Sequence, residues 1–588
     1  RTPDESPLHH CFAASLARAC PMMRLLLASV LSWLGGASTA HGKAPHVVLL
    51  VLDDVGWADV GFHGSDFPTP NIDKLANTGV QLERMYVMPQ CSPTRAAIMT
   101  GRYSFRTGLQ HFTTIAPGAT PGIAEDTHTI AETFQAAGYS THMVGKWHLG
   151  YSRWSQTPMG KGFESFYGYL QGQTDYYNRT SASCTHGACF YPRNLWAHSK
   201  FGEGAAGYDF WDNRTAVYQD LGKYTVDAYE ERIERLLRPY ASASPPSQPL
   251  FLYYAEQQLH IPLQAPPEPE YLERCRDVHG GSGQVNRTIL CSMASRLDRS
   301  VGRLVELLTI NKMWENTLLF VVTDNGGMTT WQESWPASAS SNFPLRGGKT
   351  TLFEGGVRAV AFVNGGALPS GARGKRRTQL LHAVDILPTL AGFAGVPLLD
   401  KGVLVDGLDA WAAIADGAPI NRTELPLNID VNPLGLSRLV PHIKHDGSLN
   451  YSALISWPWK VFVGQPYIAF GARNQVRRDG WWTVQGYKYI APEEEQGLPL
   501  RLYNLEQDET EHFNLADRPE HQNLVESLVA RVRFYASKES GWVPSQPNMP
   551  EFKGNPRLHN WTWAPFVHEE SGAMNYEEDQ DQDVELLV

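Results

Sequence analysis

Two oxygen-rich pairs, Asp53-Asp54 and Asp324-Asn325, each follow an apolar, β-branched run, and carboxylate and amide oxygens in that position suit a hard divalent cation such as calcium or magnesium. Asp and Asn are also ordinary strand-end turn residues, so either pair alone says little. Adjacent carboxylates repel unless positive charge compensates them, and two such pairs together point to one bound metal ion. Asn325 is a neutral oxygen donor where a two-zinc phosphatase would use His, which favours a single hard ion. A fifth candidate is Cys91. An arbitrary cysteine is a small core hydrophobe, but this one stands in Cys91-Ser92-Pro93-Thr94-Arg95 and is followed by Gly101-Arg102. Lys146 and His148 flank Trp147 in Gly145-Lys146-Trp147-His148-Leu149-Gly150, His260 precedes Ile261-Pro262, and Lys349 closes Leu345-Arg346-Gly347-Gly348-Lys349. Taken singly these read as surface lysines and satisfied loop histidines.

These residues need a frame that brings strand ends together. The continuous apolar runs at 47–52, 250–255 and 318–323 have the pattern of strands buried on both faces of a mostly parallel sheet. Helical patterns at 129–137 and 293–308 lie between them, giving an α/β class with helices on both sheet faces. Ligands in such folds bind beyond the carboxyl ends of the strands, where the acidic pairs fall. Residues 242–249 and 336–344 read as surface connections. After about residue 440 the pattern shifts to aromatic-rich strand candidates at 454–463 and 481–490 and a helix near 524–535. The resulting division is an upstream segment with a signal peptide at 1–43, a catalytic domain at 44–440, a smaller α+β domain at 441–566 and an acidic tail at 567–588 expected to be disordered.

The chain has 588 residues, 42% of them hydrophobic, and a net charge of −11 with no long basic block, which argues against nucleic acid as a partner. Met22-Met23-Arg24, the apolar run after it and Ala37-Ser38-Thr39-Ala40 have the layout of a secretory signal, and no later segment is apolar enough to span a membrane. Sequons at Asn178, Asn213, Asn286, Asn421, Asn450 and Asn560 fit an exported glycoprotein. Of seven cysteines, Cys11 and Cys20 fall in the leading segment. Cys184 with Cys189, and Cys275 with Cys291, are close enough to pair locally, which would leave Cys91 alone.

The Cys-x-Pro-x-Arg core with its downstream Gly-Arg resembles the signature of the type I sulfatases, in which the cysteine is oxidised during export to formylglycine, and Gly145 to Gly150 matches the second signature of that family. Thr94 stands where many members have Ser. The resemblance runs from about residue 44 to 566 and is strongest to the arylsulfatase B branch, the N-acetylgalactosamine-4-sulfatases, through Asp53-Asp-Val-Gly-Trp-Ala-Asp-Val-Gly-Phe-His-Gly64, Phe353-Glu-Gly-Gly-Val-Arg358 and Leu502-Tyr-Asn-Leu-Glu-Gln-Asp508. The stretch 328–342 is longer than in that branch and dissimilar, and several of its cysteines are missing.

The resemblance implies an alkaline-phosphatase-like mixed sheet sandwiched by helices, and one calcium ion, or magnesium, held by Asp53, Asp54, residue 91, Asp324 and Asn325. It also implies roles. One hydroxyl of the hydrated aldehyde at 91 attacks sulfur, with Asp54 as proton acceptor. Arg95, Lys146 and Lys349 neutralise the sulfuryl oxygens, and His260 protonates the departing alcohol. His148 then takes the proton of the second hydroxyl, expelling sulfate and restoring the aldehyde. The implied partners are a sulfated glycan or aryl sulfate and the formylglycine-generating enzyme of the export pathway, and the implied location is lysosomal or extracellular. Two other readings compete: a phosphoester hydrolase of the wider superfamily, disfavoured by Cys91 and Asn325, and a glycan-binding protein whose Cys91 is never oxidised.

Overall fold

Strand β1, His46–Leu52, places Val47, Leu49 and Val51 in one hydrophobic core and Val48, Leu50 and Leu52 in another, so both of its faces are buried, as the unbroken apolar run requires. It is the sixth strand of a ten-stranded sheet. In chain order the others are β2 (Val80–Leu82), β3 (Ser140–Lys146), β4 (Ser165–Tyr169), β5 (Trp211–Asp212), β6 (Thr215–Ala216), β7 (Leu250–Glu256), β8 (Thr317–Thr323), β9 (Ala361–Asn364) and β10 (Lys375–Arg377). Their spatial order is β6-β5-β4-β3-β7-β1-β8-β9-β2-β10. Strands β4, β3, β7, β1 and β8 are mutually parallel, whereas β9 runs antiparallel to β8, so the sheet is mixed.

The computed structural model describes residues 44–567, except 111–114, 183, 186–187, 190–205, 243–246, 279–284, 330–338, 400–401, 403, 432–448, 467–479, 484–485, 491–497 and 547–551. The expected signal segment and the acidic tail beyond residue 567 lie outside the described residues, as does most of the divergent stretch 328–342.

Register is what builds the site. Leu52 lies opposite both Glu256 and Thr323, and Ala255 lies opposite Gly145. The parallel strands therefore end level with one another, and the residues that follow, Asp53, Asp324 and the Gln257–His260 turn, emerge at the same edge as Lys146. Helix α1 is Pro70–Thr78, and α2, Cys91–Thr100, has every residue buried. Helix α3, Ile130–Ala136, starts at a capping box in which Thr129 and Glu132 exchange side-chain-to-backbone bonds. Helix α4 is Thr225–Leu237. Helix α5, Val285–Ile310, lays Leu290, Met293, Ala294, Leu297, Val301, Leu304 and Leu308 on the face of the sheet that carries Val48 and Leu50. A disulfide joins Cys275 to Cys291 in α5, and Cys91 is a free thiol. The backbones of Cys184 and Cys189 are register partners in a two-stranded sheet; their side chains lie outside the described part.

A second sheet follows, with four antiparallel strands in the order β11 (Leu425–Val431), β12 (Leu449–Ser456), β13 (Trp459–Val463), β14 (Leu500–Asn504). Helix α6, Gln522–Tyr535, packs Val525, Leu528 and Val532 into one apolar cluster with Leu454, Val461 and Leu502 of this sheet. The stretch 454–463, expected as one strand, is a hairpin that reverses at Trp457-Pro458, where proline has no N–H to give to a ladder.

The loop 336–344 was expected at the surface, yet its residues 339–342 are buried. Asp59 explains why. Its carboxylate accepts from the Ser340 hydroxyl, the Ser341 amide and Arg287 of α5, and so anchors the small polar residues of this loop inside the protein.

Candidate active site

All ten candidate residues are buried, and nine of them are joined to one another by contacts at the carboxyl edge of the large sheet. Asp53 and Asp54 come from the end of β1, Asp324 and Asn325 from the end of β8, and Lys146 is the last residue of β3. Cys91 opens α2, which points Arg95, one turn on, towards the same strand ends. The Arg95 Nε and Nη2 both reach one Asp324 oxygen, at 3.0 and 2.8 Å, while Nη1 donates to the Lys146 carbonyl at 3.1 Å. The Lys146 ammonium lies 2.6 Å from Asp53 Oδ2, and that of Lys349 2.6 Å from Asp54 Oδ1 and 3.4 Å from Cys91 Sγ. Asp53 Oδ1 is 3.9 Å from the same sulfur.

Three carboxylates thus face three cations. Lys146, Lys349 and Arg95 provide part of the charge compensation that the sequence reading assigned to a metal. Burial pushes the Asp54 carboxyl up, but neighbouring positive charge, that of Lys349 first, outweighs it and holds the group below the usual carboxylate range. Asp324 is shifted the other way, by burial and by Asp53, despite Arg95. The Cys91 thiol is pushed up to about 12 by burial, which Lys146 and Lys349 only partly oppose.

Two buried oxygens of the candidate ligand set, Asp54 Oδ2 and Asn325 Oδ1, have no hydrogen-bond partner. Buried polar atoms are rarely left so, and both are hard oxygen donors, so the residues present fit a calcium-type ion. One atom each of Asp53, Asp54, Cys91 and His260 lies within 4.8 Å of the others, which gives the cluster the compactness a metal site needs. Asp324 contributes differently: its Oδ2 is taken by Arg95 and its Oδ1 by the Asp54 amide, at 3.4 Å.

The two histidines are held by backbone. His260 Nδ1 lies 2.8 Å from the Ile261 carbonyl, which requires a proton on Nδ1, and its Nε2 faces Asp54 Oδ2 at 3.8 Å. Burial and then the charges of Lys146 and Lys349 push its pKa well below the ordinary value, so the ring is neutral. His148, at positive φ, places Nε2 3.2 Å from the Ile115 carbonyl, and its ring packs against Gly172, where any side chain would collide with it. Burial, Lys146 and Arg95 lower its pKa as well.

Sequence reasoning passed over residues that hold these groups in place. Tyr176 donates between the carbonyls of Gln257 and His260, at 3.0 Å each, and fixes the His260 turn. Asp209 receives the amides of Leu170 and Gln171, and Leu170 in turn accepts the His148 amide. Neither has a local signature, because each acts on backbone groups far away in sequence. Asp59 could have been found, since it lies in the Asp53 to Gly64 string.

A mixed sheet with a cysteine, three cations and a buried, oxygen-rich cluster at its carboxyl edge defines a hydrolase of anionic esters on an alkaline-phosphatase-like scaffold. The family model for Sulfatase matches residues 45–396, and the chain belongs to that family; it is a sulfuric ester hydrolase. Arylsulfatase J of Mus musculus is 33% identical over 91% of this chain and 82% of its own length. N-acetylgalactosamine-6-sulfatase of Mus musculus is 31% identical over 90% and 93%. Among solved structures, Ps i-CgsB in complex with k-i-k-neocarrahexaose superposes with a TM-score of 0.65 at 25% identity, over 88% of this chain and 98% of that one.

Proposed function

We propose that the chain hydrolyses sulfate monoesters of a glycan through a formylglycine made from Cys91, with one calcium ion held by Asp53, Asp54, Asp324, Asn325 and residue 91. The observation that carries this reading is the placement of Cys91: a buried, neutral thiol, a poor nucleophile as it stands, lies 3.4 Å from Lys349 and in one compact group with Asp53, Asp54 and His260. Oxidation to an aldehyde would supply, as its hydrate, one hydroxyl to attack and a second to drive release. When bound, calcium would supply positive charge at the attacking and sulfuryl oxygens.

The other steps fall to the chain. Arg95, Lys146 and Lys349 are preorganised donors to an incoming sulfuryl group, in a site where burial strengthens each interaction. Burial sets the largest part of the downward shift of His260, and an ester anion between Lys146 and Lys349 offsets the part that these two charges add. Substrate binding thereby raises the proton affinity of the residue that protonates the leaving oxygen. His148, neutral and with Nδ1 unpaired, is the base for the release step.

The substrate proposed is a terminal N-acetylgalactosamine 4-sulfate, supported by the motif resemblance. The name N-acetylgalactosamine-6-sulfatase carried by relatives supports the sugar and sets the 6-sulfate as the alternative position. Export, formylglycine formation by its generating enzyme and a lysosomal or extracellular location complete the reading. Asn178, Asn421 and Asn560 are exposed, as N-glycosylation needs, and no helix among the described residues is long and apolar enough to cross a membrane. Parallel kinetics on a sulfated and a phosphorylated phenol, then on matched 4- and 6-sulfated hexosamines, test it. Preference for the phosphate ester would overturn the reaction, and preference for the 6-sulfate only the substrate.

A further inference from the structure

Asn342 has no solvent exposure and touches three segments of the site at once. Its Oδ1 accepts from the backbone amides of Gly327, at 2.9 Å, and Trp57, at 3.3 Å. Its Nδ2 donates to the carbonyls of Gly327, at 3.0 Å, and Gly347, at 3.2 Å. Two donors converge on one end of the group and two acceptors on the other, a pattern that a primary carboxamide satisfies and a carboxylate or hydroxyl does not.

Each segment carries a residue of the catalytic cluster. Trp57 is three residues after Asp54, Gly327 two after Asn325, and Gly347 two before Lys349. The Lys349 amide itself donates to the Gly327 carbonyl, at 3.1 Å, so that one carbonyl takes both Asn342 and Lys349. There is no slack around the amide: a Cβ at Gly348 would stand 2.8 Å from Asn342 Nδ2, and one at Gly355 3.0 Å from the Asn342 Cβ.

We infer that Asn342 is a positioning residue for sulfate-ester hydrolysis, a clamp that sets the Lys349 loop against the Asp54 and Asn325 strand ends and so places the Lys349 ammonium beside residue 91. The inference rests on the function proposed above for Lys349. It also gives a role to the last residue of the dissimilar stretch 328–342.

Asn342→Asp separates the two halves of the clamp. It keeps the acceptor for Gly327 and Trp57 but sets an oxygen against the carbonyls of Gly327 and Gly347, which loosens the Lys349 side. The expected result is a fall in kcat of roughly tenfold to a hundredfold, since displacements of about 1 Å can cost that much. In a Lys349→Ala background the same change should cost less than about twofold, because the group it positions is already gone. Hydrogen exchange should quicken at the Lys349 amide and not in the four-stranded sheet. Asn342→Ser, taken through the same cycle, serves if the Asp variant fails to fold. Unchanged kcat, or a loss in the Lys349→Ala background as large as in the parent, overturns the inference. If Lys349→Ala were itself fully active, the proposed function of Lys349 would fail instead, and unchanged exchange at the Lys349 amide in Asn342→Asp would then reject the clamp.

Discussion

The Lys349 ammonium and the Asp54 carboxylate lie 2.6 Å apart across 295 residues of sequence, and both are buried. Removing one partner of such a pair leaves an uncompensated buried charge, at a cost of about 3–5 kcal/mol. Lys349→Ala should therefore do two things. Turnover should fall by on the order of a hundredfold or more, as one preorganised transition-state charge is lost. The thermal midpoint should also fall in chelator, and calcium should restore more of it than it adds to the parent, because the ion takes over the charge that Lys349 balanced. Lys146→Ala should behave alike through Asp53. Full activity, or a midpoint indifferent to calcium, counts against this arrangement.

The metal is better tested at Asn325 than at Asp324. Asp324→Ala would strand the buried Arg95 guanidinium, which has Asp324 as its nearest carboxylate, so lost activity could simply report a damaged fold. Asn325→Ala leaves every ion pair in place; it removes an unsatisfied oxygen together with the Nδ2 hydrogen bond to Asp54 Oδ1, 2.8 Å long. The expected outcome is a stability loss in chelator of about 1–3 kcal/mol, smaller than that of Asp324→Ala, with a calcium requirement shifted upward by about tenfold or more, read from activity against free calcium. Parental activity after thorough chelation would refute the metal assignment.

Residue 91 is expected to be an aldehyde or its hydrate in active, exported protein, which mass spectrometry of the peptide spanning residues 85–95 would show. Protein made without the modification gives a second check. Burial raises the thiol to about 12, so the neutral form dominates at any pH below that, and alkylation of Cys91 should be slow at pH 8. Cys91→Ser should stall after one turnover as a sulfated serine, lacking the second hydroxyl. Full activity with an intact thiol would end the formylglycine reading.

How much of this was legible beforehand depends on how local each determinant is. The runs of β1, β7 and β8 declare strands buried on both faces, and the motifs around Cys91 and Lys146 are contiguous, so the sheet and most of the cluster could be read directly. Asn342, Tyr176 and Asp209 could not, since each depends on backbone groups distant in sequence, up to 285 residues away for Asn342 and Trp57. The 454–463 run misled because both arms of the hairpin are apolar and Pro458 was the one sign of the reversal. The loop 336–344 misled because Ser and Asn read as surface residues until a buried acceptor, Asp59, is known to lie beneath them.

The last expectation concerns acid. Glu511 is buried against Lys460 of β13, 2.9 Å away, and accepts the Glu354 amide at 2.7 Å, while Lys460 also reaches the Glu354 carboxylate at 2.8 Å. Glu354 in turn accepts from Tyr86, five residues before Cys91, so this cluster ties the four-stranded sheet to the approach of the nucleophile. Burial pushes Glu511 up to about 7, with Glu354 adding to the rise and Lys460 opposing it. The folded state then holds a proton that the unfolded chain releases near its ordinary value of about 4.3. Between these values the native state binds more protons, so stability falls as pH rises through the window and is regained on acidification. Glu511→Gln keeps the hydrogen-bonding shape and abolishes the titration. The parent should therefore gain on the order of a few degrees in thermal midpoint between pH 7.5 and 5.5 relative to Glu511→Gln. Equal pH dependence in the two proteins would show that Glu511 stays ionised in the fold.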